Sequence, residues 1–466
     1  MIALTLAEIT AAVGGELVGT ESADTIVDGA VVTDSRLAQP GSIFFAMVGE
    51  QTDGHLFAAS AIENGATLLV VERLVDSPVS QIVVSDGTDA LAGLARTVVA
   101  AVRAGGSLTV IGITGSNGKT TTKNLLRAVL APVGETVAPR ESFNNHIGAP
   151  LSMLSVTKST RFLVVEMGAS RPGETAWLVA IARPDIAVVL KVGLAHAGEF
   201  GGIDATQRAK AEIVTSLPSS AVAILNADDD RVAAMSAMTS ARVVLFGLGA
   251  RAEVRADDID ATVTGTRFDL LVDGETRPVH LRILGEHHVM NALATIAVAR
   301  ELGLDLPDAV RAIEGVARAE RWRMELLERE DGVTVINDAY NASPDSMSAA
   351  LKTLAQIGRT GRRTIAVLGE MAELGEYADE EHDRIGRLVV RLNIGQLIVV
   401  GQPARHIHNA AGLEGSWDGE SVLVGTADEA YDLVAPFVSA GDVVLVKSSK
   451  SAGLRFLGDR LGGVAP

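Results

Sequence analysis

Residues 108 to 124, LTVIGITGSNGKTTTKN, hold the side chains and spacing that could grip a polyphosphate. Thr114, Gly115, Ser116, Asn117 and Gly118 run directly into Lys119, Thr120 and Thr121. A glycine-rich turn that opens a helix aims several backbone N–H groups, and the positive end of the helix dipole, at one spot. Lys119 would reach the outer phosphates and Thr120 would give its hydroxyl to Mg²⁺. The usual pattern has glycine where this chain has Ile113, with Gly112 one place early. An ordinary glycine-rich turn would not account for a lysine followed by three threonines.

Positioning such a loop takes a strand before it and a helix after it. Leu108 to Ile113 is a short apolar, β-branched run that reads as a buried strand, and a helix-forming stretch follows the turn. Further apolar runs then deliver polar residues to the same predicted sheet edge. FLVVEMGAS puts Glu166 at a strand's carboxyl end, beside the loop, where a carboxylate can hold Mg²⁺ directly or through water. Ile186 to Val192 is followed by GLAHAGEFGG, so His196 shares that edge and suits a metal or phosphate role. Lys210 and Glu212, in ATQRAKAEIVTSL, read on their own as surface charges. AVAILNADDD ends in Asn226, Asp228 and Asp229, and EHHVMNALATIAVARELG is a strong helix with Asn291 near its start. Residues 251 to 283 alternate like antiparallel strands, with turns at Thr264 to Gly265 and Asp273 to Gly274.

The chain's 466 residues suggest three domains, each able to bury its own core. A hydrophobic share of 47% with 21% charged residues is ordinary for a soluble globular protein, and 47 glycines suggest many strand-to-helix turns. The net charge of −18 argues against nucleic acid or an anionic membrane as partner, and 3% aromatic residues leave few stacking platforms. With no cysteine, disulfides, thiolate metal sites and cysteine nucleophiles are excluded. No leader-like N-terminus or span-length apolar run is evident, so a cytoplasmic location is expected.

Residues 1 to 104 form a small α/β unit that opens on TLAEITAAVGG, where Thr5 and Glu8 are spaced as a capping box. Its DSR (Asp34 to Arg36) and GEQTDGH (Gly49 to His55) segments cluster polar residues at strand ends. Residues 105 to 320 carry the phosphate loop and RESFNNHIGAP, with the polar pair Asn144 and Asn145. From 321 to 466, strands alternate with helices, which implies a mainly parallel sheet covered on both faces. Its strand ends carry NDAYNASPDSM, LGEMAELG and VKSSKSAG.

In this order and spacing, TGSNGKTTTK, SFNNHIGAP, EMGAS, NDAYNASPDSM and VKSSKSAG resemble the Mur ligases over nearly the whole chain. The GHxF piece and LGEMAELG narrow the resemblance to the branch that adds D-alanyl-D-alanine to UDP-N-acetylmuramoyl tripeptide. It implies an α/β protein of three domains: an N-terminal UDP-precursor-binding domain (1–104), a central ATP-binding P-loop domain (105–320) and a C-terminal Rossmann-like domain (321–466). It also implies a monomeric, ATP- and Mg²⁺-dependent ligase that works through an acyl phosphate and releases ADP and phosphate in cell-wall peptidoglycan synthesis.

Carried over residue by residue, the resemblance implies that Lys119 stabilises the transferred phosphoryl group. Thr120, Glu166 and His196 would hold metal, and Lys210 matches a lysine that CO₂ carbamylates, giving an anion suited to Mg²⁺. Asn291 would contact adenine. Arg323 would reach phosphate from the domain junction, with Arg321 a near competitor, and Asp338, Tyr340 and Asn341 would lie near the nucleotide. Ser35 and Arg36 would contact UDP, with weaker support for Asp53 and His55; Asn144, Asn145, Lys447 and Ser449 would face substrate. Ser448 and Lys450 stand where the family pattern has glycine and arginine. Two alternatives stay open: a related Mur or folylpolyglutamate synthetase-like amide ligase, and a non-enzymatic nucleotide-gated interaction protein.

Overall fold

A computed structural model describes residues 1–49, 52–106, 108–139, 143–169, 171–194, 201–262, 264–317, 320–415 and 417–464. Among these, the strands group into three main sheets, one per lobe, and a short two-stranded pair.

The first lobe has five strands in the order Glu16–Val18, Ser80–Val83, Ala66–Val71, Ser42–Phe45 and Val31–Val32, parallel except for the first pairing. Its opening helix, Leu6–Val13, starts at the expected Thr5/Glu8 capping box and stops at Gly14 with φ +64°. The long helix Gly87–Ala104 buries Leu91, Leu94 and Val98 in a core that continues into the central lobe through Met153, Leu178 and Val214. Those two lobes therefore share one apolar interior.

The central sheet has nine strands. Seven are parallel, the first six in the order Thr136–Val137, Phe162–Glu166, Thr109–Thr114, Ile186–Val189, Val222–Asn226 and Arg242–Gly247. Strand Thr109–Thr114 is flanked by the next two long strands of the chain on opposite sides, so the sheet's order reverses there. In open α/β sheets such a reversal opens the ligand crevice at the carboxyl ends. Beyond Gly247 the sheet continues as Val254–Thr262, Gly265–Val272 and Glu275–Leu281, the last two added antiparallel, as the alternating pattern of 251–283 leads one to expect.

The third lobe is a six-stranded sheet in the order Glu325–Glu328, Thr334–Asn337, Val443–Lys447, Thr364–Leu368, Gln396–Val400 and Glu420–Val424. Along Val443–Lys447, Val443 and Leu445 enter one core and Val444 and Val446 another, so both faces are covered, as expected. Several strands form where the sequence reading places none, among them Glu16–Val18, Arg242–Gly247 and Glu325–Glu328. In the last of these, Glu325 is buried while Leu326 is exposed, which inverts the usual apolar-in pattern. No described helix is long and apolar enough to cross a membrane.

Candidate active site

The phosphate loop leaves strand Thr109–Thr114 and enters helix Lys119–Leu130 through Gly118, whose φ is +90°. Asn291 Oδ1 occupies the space a Cβ on Gly118 would need, so glycine is required there twice over. Lys119 Nζ donates to the Gly115 carbonyl at 2.6 Å. Burial in the cleft lowers its pKa, Glu166 opposes that shift, and Arg323 adds to it. Ser116 takes its place by exchanging hydrogen bonds with Gly193 at 2.8 and 3.2 Å.

Glu166 ends its strand in register with Ile113, directly beside the loop. Its Oε2 accepts from Thr120 Oγ1 at 3.1 Å, and its Oε1 pairs with Lys123 Nζ at 3.0 Å, with both charged side chains 1% exposed. Lys123 was not among the residues singled out from sequence. Lys210, read as a surface charge on its own, is buried instead, because helix Ile203–Thr215 turns that face inward. Burial first, and the Lys119 charge second, lower its pKa to about 7. Glu212 stays part-exposed, and its carboxylate accepts from Gly173 N and Ala176 N at 2.7 and 3.0 Å, at the start of helix Glu174–Ala182. His196 lies outside the described residues.

Asn291, near the start of helix His288–Glu301, accepts from Thr122 Oγ1 at 3.3 Å and contacts His288 Nδ1 through its amide nitrogen at 3.0 Å. From the third lobe, Arg323 lies over the Tyr340 ring, 4.2 Å from its centre. Arg321 is engaged elsewhere, 2.9 Å from Asp459. Lys447 Nζ, almost fully buried, donates to Asp338 Oδ2 at 2.6 Å and to the Asn341 carbonyl at 3.1 Å, fixing the loop that carries Asp338, Tyr340 and Asn341. Ser343 Oγ donates to Asn117 Oδ1 at 3.1 Å, joining the third lobe directly to the phosphate loop.

One cavity of about 1430 Å³ runs between these two lobes. Its wall includes Ser116 to Thr121, Asn144, Asn145, Lys210, Asn291, Arg323, Asp338, Tyr340, Asn341 and Lys447. Asn145 Oδ1 also accepts from Ile147 N and Gly148 N at 3.2 and 2.8 Å, just ahead of the helix Gly148–Met153. Thr114, Gly115, Glu166 and Ser449 stand behind the described wall. Ser449 Oγ accepts from Ala372 N at 2.8 Å, and Ser448 is buried without a positive φ.

Ser35 and Arg36 are not brought to this cavity; they lie in the first lobe. Ser35 is buried, with its carbonyl accepting from Asn64 Nδ2 at 3.0 Å, and Arg36 is exposed and paired with Asp34, whose carboxyl it holds down to about 2. Nearby, Asp53 pairs with His55 and Arg73, and buried His55 accepts from Glu72 N through Nε2 at 2.9 Å.

A phosphate loop facing the strand ends of a second α/β lobe, across a cavity large enough for a nucleotide and another ligand, defines a three-lobed nucleotide-dependent enzyme. The Mur ligase family catalytic domain matches residues 29–102, the Mur ligase middle domain 113–299, and the Mur ligase glutamate ligase domain 322–450. The chain is 44% identical over 501 residues to the UDP-N-acetylmuramoyl-tripeptide--D-alanyl-D-alanine ligase of Mycobacterium tuberculosis, covering 99% of this chain and 98% of that one. The chain belongs to the Mur ligase family. Among solved structures it is similar to MurF from Acinetobacter baumannii, with TM-score 0.89, 32% identity and 99% of each chain covered. It is also similar to the MurF ligase from Thermotoga maritima in complex with ADP, with TM-score 0.81, 28% identity, and 94% and 98% covered.

Proposed function

We propose that this protein joins D-alanyl-D-alanine to UDP-N-acetylmuramoyl tripeptide at the expense of ATP, giving the UDP-muramoyl pentapeptide. The observation that carries this reading is the full-length likeness to ligases of that name, with the phosphate loop and the strand ends of the third lobe facing one cavity. The lobes would divide the work near residues 104 and 320: the first holds the UDP end, the second the triphosphate, and the third closes over both.

The tripeptide's terminal carboxylate oxygen attacks the γ-phosphorus, the bond to the bridging oxygen breaks, and ADP leaves. The amine of D-alanyl-D-alanine then adds to the acyl phosphate carbon, and the tetrahedral intermediate expels phosphate as the nitrogen loses a proton. Both steps gather charge on phosphoryl or carbonyl oxygens, so positioning and electrostatic stabilisation should supply most of the rate. Lys119 sits where it can follow the transferred group, and Arg323 brings a permanently charged planar fork from the opposite lobe. Asn291 would meet the adenine, with Asp338, Tyr340 and Asn341 near the nucleotide. Asn144, Asn145 and Lys447 would face the peptide side, while Ser35 and Arg36 would take the UDP.

The residues suit Mg²⁺, which would neutralise phosphate charge. Thr120 Oγ1 and Glu166 Oε2 stand 3.1 Å apart, close to the ~3 Å separating adjacent ligands of an octahedral cation bound at about 2.1 Å. Lys210 would join them as a carbamate. Carbamylation requires a neutral amine, and a pKa brought down to about 7 leaves a large share of Lys210 neutral at neutral pH.

Purified protein given ATP, Mg²⁺, the UDP-tripeptide and D-alanyl-D-alanine should release ADP and phosphate with the UDP-pentapeptide. ADP release indifferent to the dipeptide would defeat the assignment. Offering other amino acceptors in the same assay separates the related ligases.

A further inference from the structure

We propose that Lys123 is a positioning residue, holding Glu166 so that one carboxylate oxygen is presented to a divalent cation beside the nucleotide. The inference rests on the nucleotide site proposed above. Lys123 lies one helical turn beyond Lys119, so both ammonium groups leave the same face of helix Lys119–Leu130. They do different things. Lys119 turns back to the loop carbonyl of Gly115, whereas Lys123 points inward to Glu166 Oε1 at 3.0 Å.

The two oxygens of Glu166 are thereby divided. Oε1 belongs to Lys123, and Oε2 is left beside Thr120 Oγ1 at the spacing of two neighbouring ligands. A carboxylate so fixed is committed to binding through a single oxygen and keeps its second one away from the cation. Without Lys123, Glu166 would be a buried charge short of its partner, an expensive arrangement. Lys119 is the next cation at hand, since it already feels the Glu166 charge. Glu166 would turn toward it and draw it off the phosphates. Lys123 thus keeps two neighbouring groups in separate roles, as the supporting groups around metal ligands do.

The test uses the full-length protein, a non-hydrolysable ATP analogue and a Mg²⁺ titration, with Mn²⁺ binding followed by electron paramagnetic resonance as a second readout. Lys123→Met should raise the Mg²⁺ concentration for half-maximal analogue binding by about tenfold or more, the usual cost of removing a group that orients a metal ligand. A purely structural role would lower the melting temperature without moving that requirement. The double variant Lys123→Met/Glu166→Gln should match Glu166→Gln alone, because Lys123 acts through Glu166. If Lys123→Met fails to fold, that pair decides, since neither member buries an unpaired carboxylate and the Lys123 left in Glu166→Gln can shed its proton.

An unchanged Mg²⁺ requirement in Lys123→Met, or a double variant another tenfold worse than Glu166→Gln, overturns the inference and leaves the phosphate-loop reading intact. Wild-type protein that binds no analogue overturns both.

Discussion

Asp345 Oδ1, in the first turn of helix Pro344–Gly358, pairs with Lys191 Nζ at 2.9 Å, from the third lobe across the cleft to the central one. Its other oxygen occupies the space that a Cβ on Gly193 would need. With the Ser343–Asn117 hydrogen bond, this pair seats the start of the helix against the phosphate loop.

Gly193→Ala should push the Asp345 side chain aside and break its pairing with Lys191. Both charged groups are partly exposed, so the pair is worth no more than about 1 kcal/mol. The expected result is a modest rise in KM for ATP that matches Asp345→Ala, with no further effect when the two are combined. Steady-state kinetics on the three variants check this.

Lys119→Ala should lower turnover by about 10²- to 10³-fold, the range for losing one preorganised electrostatic contact to developing charge. Binding of the UDP-tripeptide should hardly change, because Ser35 and Arg36 lie in another lobe. Calorimetry on the variant separates the two quantities. Near-normal turnover would remove Lys119 from the phosphoryl path.

Lys210 should capture CO₂ in a pH-dependent way. Its folded pKa of about 7 lies below the ordinary 10.5, so the neutral amine becomes the majority form as pH rises through 7. Incubation with ¹³C-labelled bicarbonate should give a carbamate signal that grows from pH 6 to 8 and is missing in Lys210→Ala. Turnover of that variant should recover in part with a short added carboxylate. Failure of both would dispose of the carbamate.

His288 should make the fold sensitive to acid. Burial, then the neighbouring His287 and Arg323, keep its pKa well below 6.5, so the unfolded chain binds the extra proton first. Stability is therefore retained above about pH 6.5 and lost progressively as pH falls below it. Melting temperatures between pH 8 and 5 should fall less steeply in His288→Gln.

Much of this was legible in the residue order. The strand ending at Thr114, the glycine turn and the Lys-Thr start of the helix are local features with one physical reading, and the alternation of 251–283 gave its hairpins directly. Other features depend on distant packing. Nothing local marks Lys123 as buried, since a lysine in mid-helix ordinarily faces water; the signal lay in Glu166, a strand-end carboxylate 43 residues later that needs a counter-charge. The same holds for Glu325, whose inward direction is set by Arg321 and by the Trp322 backbone N–H it accepts at 2.9 Å. Ser449, expected at the substrate, has its hydroxyl committed to backbone groups, which a motif cannot reveal.

The apolar interior running from Ile9 through Leu94 to Leu178 has a thermodynamic consequence. Cutting the chain after Ala104 would open that shared apolar surface to water on both fragments, so each should be less stable apart than joined. The C-terminal portion, whose two interiors take only Leu284 from the central lobe, should unfold as a separate unit and give its own calorimetric peak.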